Sequence, residues 1–330
     1  MFKKRSIGAI AGLAAAALML AGCASDGSAS GGDQSASGGD KPYVAVISKG
    51  FQHQFWQAVK AGAEQAAEEF DVEITFEGPD TESDVEQQIQ MLQTALDKSP
   101  AAVGFAALDS QASGPLLQQA KDSNIPIIAF DSGVDSDIPL TTAATDNKAA
   151  AGEAAKHMAD AIGNEGKVAL VVHDQTSLTG QQRRDGFIEY MEENEPNVEV
   201  VDVQYGAGDH AKSADLAKAI IAAHPDLKGI YGANEGSAIG VVQAVKELGI
   251  DPSKFVVIGF DSGEAQMSAI RDGYMLGAIT QNPVGIGYET VKAAAEAIAG
   301  KELPSSIDTG YYWYDATNID DDEIKAVLYE

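Results

Sequence analysis

One cysteine, Cys23, occurs in the 330 residues. A lone thiol excludes a disulfide framework and any metal site built from several cysteines. Basic residues are also few: 22 Lys+Arg stand against 50 Asp+Glu, a formal net charge of −28. That charge would repel nucleic acid and anionic membrane surfaces. Catalytic signatures are missing as well. The histidines, His53, His157, His173, His210 and His224, form no His-Glu-x-x-His set, and there is no Gly-x-Ser-x-Gly elbow or Walker loop. Gly285-Ile-Gly287 is too short for a dinucleotide fingerprint. Nothing pairs a nucleophile with a base. The expectation is therefore a binding protein, not an enzyme, with no metal and no cofactor. A chain of this length exceeds one small core and suggests two domains.

The amino terminus accounts for the cysteine. Lys3, Lys4 and Arg5 precede an apolar run of about 14 residues from Ile7 to Leu20, too short for an ordinary spanning helix and suited to a signal-peptide core. It ends in Leu20-Ala21-Gly22-Cys23, the pattern of a bacterial lipoprotein signal, in which the chain is cut before a cysteine lipidated on sulfur. Loss of residues 1–22 removes three basic residues and no acid, so the net charge moves from −28 to −31. Two or more lipid chains suffice for stable anchoring, which places the protein outside the cytoplasmic membrane and tethered to it. Residues 23–41 then read as a flexible tether. Ser28-Ala-Ser-Gly-Gly-Asp33 is repeated as Ser35-Ala-Ser-Gly-Gly-Asp40, a Gly/Ser-rich composition with a span of about 25 Å.

From Tyr43 short apolar runs alternate with amphipathic helices. Strands are predicted at 43–48, 72–76, 101–107, 125–130, 167–172, 198–203, 229–231, 255–259, 275–280 and 311–314, with helices at 54–70, 82–98, 114–122, 181–193, 211–223, 237–248, 264–272 and 284–299. Near-continuous apolar strands separated by helices imply parallel sheets covered on both faces. One internal echo stands out. Phe-Asp-Ser-Gly occurs at 130–133 and again at 260–263, each time after an apolar strand. Asp-Ser-Gly is ordinary turn chemistry, but the repeat suggests two lobes of like topology. Each would place an aspartate, Asp131 or Asp261, at the carboxyl end of a strand, where open α/β sheets bind ligands.

A neutral, hydroxyl-rich ligand suits the polar residues at these edges. Carboxylates accept hydrogen bonds from hydroxyls, amides donate and accept, and arginine donates in a planar fork. An aromatic ring covers the C–H face of a sugar. His53, Trp56, Asp131, Arg183, Asn234, Asp261 and Gln281 are the candidates. Each has a plainer role open to it: His53 and Asn234 as helix caps, Arg183 as a solvated charge beside Arg184, Gln281 as a linker residue. Phe55 lies on the apolar stripe of its helix, and Trp56 is about 100° away from it.

From Val44 to about Asp315 the chain resembles the periplasmic sugar-binding proteins of ribose-binding type that serve ABC importers. Lys49-Gly-Phe-Gln-His-Gln-Phe-Trp56 resembles the first ligand loop of that family, Asp131 its strand-end aspartate, Asp146-Asn147 its first interlobe crossing, and Arg183-Arg-Asp-Gly-Phe187 its Arg-x-x-Gly-Phe segment. Asn234, Phe260-Asp261 and Gln281 match three further binding positions. The resemblance implies ligand contacts from His53, Phe55, Trp56, Asp131, Arg183, Asn234, Asp261 and Gln281. Two departures stand out. Ser132 replaces the arginine usual after the first aspartate, for which Lys49 is a substitute donor. The second-lobe aromatic falls near Gly208, with Tyr205 the nearest replacement.

The resemblance implies an α/β fold of two doubly wound parallel-sheet lobes joined by a three-segment hinge. Lobe one would hold residues 42–145 plus 282–309, and lobe two 146–281 plus 310–330. The implied function is that of the solute-binding lipoprotein of an ABC importer. It would act as a monomer that closes on a monosaccharide or polyol and delivers it to a permease driven by an ATPase subunit. A receptor for a sugar-like autoinducer, a sensory sugar-binding protein and an extracellular glycosidase using Asp131 and Asp261 are the alternatives. A related repressor is opposed by the acidic charge and by a leader where a helix-turn-helix would stand.

Overall fold

The computed structural model describes residues 41–329. The expected signal at 1–22, Cys23 and the tether up to residue 40 lie outside the described residues. Among the described residues, no helix is long and apolar enough to cross a membrane.

Two six-stranded sheets form the body. The first contains β1 (Tyr43–Ile47), β2 (Glu73–Glu77), β3 (Ala102–Phe105), β4 (Ile127–Phe130), β5 (Thr141–Ala144) and β11 (Ser306–Asp308). The second contains β6 (Gly166–Val172), β7 (Val198–Tyr205), β8 (Leu227–Gly232), β9 (Val256–Phe260), β10 (Gly277–Gln281) and β12 (Tyr311–Asp315). Their strand orders, β2-β1-β3-β4-β5-β11 and β7-β6-β8-β9-β10-β12, are the same topology used twice. The echo of Phe-Asp-Ser-Gly is its sequence trace: one copy follows β4, the other β9.

All pairings are parallel except β10 with β12. The reason is directional. The chain re-enters the second sheet from the edge where its strands end, so β12 must run back against β10. The core strands are buried along their whole length, as in β3 (Ala-Val-Gly-Phe) and β4 (Ile-Ile-Ala-Phe), because helices cover both faces.

The helices are α1 (Gln54–Glu69), α2 (Val85–Asp97), α3 (Gly114–Asp122), α4 (Asn147–Ile162), α5 (Leu178–Asn194), α6 (His210–Ala223), α7 (Glu235–Leu248), α8 (Glu264–Arg271), α9 (Pro283–Ile298) and α10 (Asp322–Lys325). Several begin at the side chain that caps them: Asp84, Asp146, Ser177, Asp209, Asn234 and Asn282 each accept an amide hydrogen of the first turn. The α1 and α9 backbones touch where Gly62 and Gly287 face them. A Cβ on either would collide with the carbonyl of Val284 or Val59.

Four elements were not expected from the sequence: β5, β11, α4 and α10. β5 (Thr-Thr-Ala-Ala) and β11 (Ser-Ile-Asp) are too short and polar to read as apolar runs. The buried face of α4 is mostly alanine, which gives weak contrast with its exposed face.

The chain passes between the sheets after β5, after β10 and after β11. At the first and last of these, Thr145 Oγ1 donates to Gly310 O at 3.2 Å and Thr309 N to Ala144 O at 3.1 Å. The carboxyl-terminal segment then divides. Ile324 and Leu328 join the core of the second sheet. Tyr329 packs edge-on to Phe55 of the first, ring centroids 6.1 Å apart, while its hydroxyl accepts the Ser262 N–H at 3.1 Å.

Candidate functional site

Both sheets turn the carboxyl ends of their strands towards each other, and a cavity of about 270 Å³ lies between them. Its wall comes almost entirely from residues just past strand ends or in first helical turns. Lys49 follows β1 and Asp131 follows β4. His173 follows β6, Asn234 β8 and Asp261 β9; Gln281 ends β10. His53, Phe55 and Trp56 come from the start of α1, Arg183 from the second turn of α5. All nine residues singled out from the sequence line this one cavity.

The loop before α1 is fixed from outside the helix. Gln52 Oε1 accepts the Glu82 N–H at 3.2 Å, which orients its amide so that Nε2 donates to His53 Nε2 at 3.0 Å. The imidazole proton therefore sits on Nδ1, which has no hydrogen-bond partner. His53 occupies the N-cap position of α1 without capping it. Phe55 and Trp56 meet edge to face at 4.9 Å, and both are buried. Although 100° apart on the helix, both reach the cavity, because the first turn of α1 points into it. The Trp56 indole donates to Glu82 Oε1 at 2.7 Å.

Arg183 is held on three sides. Nε donates to Asn147 Oδ1 at 2.8 Å, Nη1 to Ala233 O at 3.0 Å, and the guanidinium lies 3.7 Å above the Phe260 ring. Lys49 Nζ donates to Thr179 Oγ1 at 3.1 Å, in the opposite lobe. Asn234 uses its Oδ1 to cap α7.

The two strand-end aspartates differ. Asp261 accepts Gln281 Nε2 at 2.7 Å on one oxygen and the Glu235 N–H at 2.9 Å on the other. Asp131 is 5% exposed, and no described group donates a hydrogen bond to its carboxylate. Burial pushes its pKa up to about 6, against the pull of Lys49 and Arg183. A carboxylate committed on both oxygens is poorly placed as a glycosidic acid or nucleophile, so the Asp131/Asp261 pair does not form a hydrolytic couple.

Two wall residues escaped the sequence reading: Glu82 and His173. Burial opposes ionisation of Glu82, but Lys49, followed by His53, His173 and the Trp56 indole, together hold the carboxyl below its usual range. His173 is driven down to about 3 by burial and by the Lys49 cation, so it is neutral; its Nε2 lies 3.2 Å from Thr179 Oγ1. The signal for His173 was available, since it directly follows a predicted strand. Glu82 lies in a loop five residues beyond β2 and carried no such mark.

Tyr205 does not replace the missing aromatic. Its hydroxyl accepts from Arg184 Nη1 at 3.2 Å, and it lies outside the cavity wall. Gly208 stands behind the wall residues Asn234 and Glu82, with φ of +65°. A Cβ there would stand 3.2 Å from both Asn234 Nδ2 and Glu82 Oε2. Any flat ligand ring is thus faced by aromatics from the α1 side only.

The lobes are closed upon each other. Besides Lys49–Thr179, Ser110 N donates to Thr176 O at 3.0 Å and Gln52 Nε2 to Gly208 O at 3.3 Å, all across the cleft. Two like-folded lobes closed over a small polar cavity with an aromatic wall define a bilobal solute-binding protein. The chain belongs to the family described as periplasmic binding protein domain, whose model matches residues 44–302.

Its relatives include the D-allose-binding periplasmic protein of Escherichia coli, 28% identical over 79% of this chain and 86% of that one. Among solved structures, an ABC transporter solute-binding protein from Agrobacterium vitis with bound D-fucose is 33% identical. It covers 87% of this chain and 100% of its own, with a TM-score of 0.84. A carbohydrate transporter solute-binding protein from Agrobacterium radiobacter in complex with D-arabinose is 30% identical over 87% and 99% of the two chains, also at a TM-score of 0.84. The family is one of extracytoplasmic solute carriers, not of enzymes.

Proposed function

We propose that this protein is the sugar-binding component of an ABC importer and that it holds one neutral monosaccharide or polyol in the interlobe cavity. The observation that carries this reading is Asp131, a buried carboxylate without a donor of its own inside a closed cavity. Buried acceptors are normally satisfied, and sugar hydroxyls supply the missing donors. The Asn234 amide N–H groups and the free face of Arg183 would complete the polar contacts. Phe55 and Trp56 would cover the ring. The cavity is small and walled by both lobes, which favours one sugar ring. The sugars named with the relatives, D-allose, D-fucose and D-arabinose, are neutral and of that size.

Closure around the ligand would present both lobes to a permease driven by an ATPase subunit, with the protein acting as a monomer. Lobe one is taken as 42–145 plus 282–309 and lobe two as 146–281 plus 310–330. Residues 1–22 would be the lipoprotein signal, Cys23 the lipidated anchor, and 23–41 the tether.

The test is calorimetric titration with a panel of pentoses, hexoses, deoxyhexoses and polyols, preceded by a thermal-shift screen, since a ligand bound only by the folded state raises apparent stability. Saturable binding of one or a few sugars without product is the expected result. Binding only of sugar phosphates or oligosaccharides would overturn the reading.

A further inference from the structure

Two helices at the cleft lack a cap of their own. In α1 the N-cap residue His53 makes no capping bond and the first turn carries no acid; in α8 the N-cap is Gly263, with no side chain to offer. Each is completed from the opposite lobe. Glu235, the first residue of α7, accepts the amide hydrogens of Gln54 on Oε1 at 3.3 Å and of Phe55 on Oε2 at 3.4 Å. In return, Gln54 Oε1 accepts the Glu264 N–H, the first of α8, at 2.9 Å. Neither Glu235 nor Gln54 lines the ligand cavity.

We propose that this reciprocal capping of α1 and α8 is the clamp that holds the lobes shut, and that Glu235 and Gln54 are positioning residues for closure. Orphan amides at a helix start seek an acceptor, and a carboxylate there is also favoured by the helix dipole. In an opened protein water would serve both helix ends and the Glu235 carboxylate, so the clamp exists only in the closed form. A contact made in one conformer alone biases the equilibrium towards it. The clamp is wired to the ligand wall from both sides. The Glu235 N–H donates to Asp261 Oδ2 at 2.9 Å, and the α1 amides it caps belong to the turn that carries Phe55 and Trp56. Ligand contact at Asp261 and at the aromatics therefore sets the two halves of the clamp in register.

The inference rests on ligand-driven closure, so its test has an arm that needs no sugar. Ser110 and Thr176 are hydrogen-bonded through their backbones across the cleft. Ser110→Cys with Thr176→Cys, in a Cys23→Ser background, locks the closed form. At pH 8, hydrogen exchange at the Gln54 and Phe55 amides should be slow in the locked protein and about tenfold faster once Glu235→Ala is added, with Glu235→Gln between them. In the unlocked protein, Glu235→Ala should speed sugar release by about tenfold and leave the order of preference among sugars unchanged. Unchanged exchange at both amides in locked Glu235→Ala overturns the clamp. No binding of any sugar, with exchange still dependent on Glu235, overturns the proposed ligand and keeps the clamp.

Discussion

Asp131 and Asp261 stand at matching places in matching sheets, with φ of 54° and 80°, and each donates its N–H to the next strand, at Ala143 O (2.9 Å) and Ile279 O (2.6 Å). Their side chains part company: Asp261 is tied to Gln281 and Glu235, while Asp131 faces the cavity without a donor. The two strand-end turns share one backbone geometry, and each lobe gives its aspartate different partners.

The two aspartates should therefore fail differently. Asp131→Ala removes a carboxylate that only the ligand satisfies, and sugar affinity should fall by about 10–100-fold with little loss of stability. Asp261→Ala strands a buried amide and the Glu235 N–H, so both affinity and the unfolding midpoint should drop. Calorimetry and thermal unfolding of the two variants separate the cases. Equal loss of stability in both would refute the distinction.

Acid should weaken binding. Sugar hydroxyls donate to ionised Asp131, whose pKa burial raises to about 6. Below that value binding must expel a proton, so affinity should be level above about pH 7. It should fall by up to about tenfold per unit as the pH drops through 6. Folding stability behaves in the opposite sense. Burial raises Asp131 to about 6 and Glu235 to about 7, so the stability they contribute is present near pH 4 and lost as the pH rises through those values. The thermal shift caused by sugar should accordingly grow between about pH 5 and pH 8. Asp131→Asn should flatten the affinity profile.

Tryptophan emission offers a direct readout. The chain has two tryptophans: Trp56 on the cavity wall and Trp313 on β12, stacked at 3.7 Å on His157 and away from the cavity. Sugar should change the emission of the parent and of Trp313→Phe, and leave Trp56→Phe silent.

Gly208 packs against two residues of the cavity wall, Asn234 and Glu82. Its φ of +65° disfavours any other residue, and a Cβ would press on Asn234 and Glu82. Gly208→Ala should weaken sugar binding by about tenfold through strain of ~1–2 kcal/mol in the closed form. Restoring an aromatic with Gly208→Phe should abolish binding altogether, as calorimetry would show.

Cys23 carries the prediction for the amino terminus. Expressed in its native host, the protein should partition with membranes, and Cys23→Ser should release it. Continued membrane association of Cys23→Ser would refute the lipid anchor.

Much of this was readable from residues alone. Apolar strands alternating with helices determine parallel sheets, and the Phe-Asp-Ser-Gly repeat determines two of them, because each strand end carries the same turn. Asp131, Asn234, Asp261 and Gln281 could be placed in advance, since a parallel sheet brings its strand ends to one edge. What local sequence could not carry was anything that depends on the other lobe. Glu235 precedes the predicted helix 237–248 but caps α1 across the cleft, and Gln54, in the predicted helix 54–70, caps α8 in return. Gly208 reads as a turn, but its carbonyl accepts the Gln52 amide of the other lobe. Strand and helix formation are decided by neighbours within a few residues, whereas these cross-cleft pairings span 156 to 210 positions. They exist only once two separately folded sheets are pressed together, and that meeting is a property of the tertiary structure.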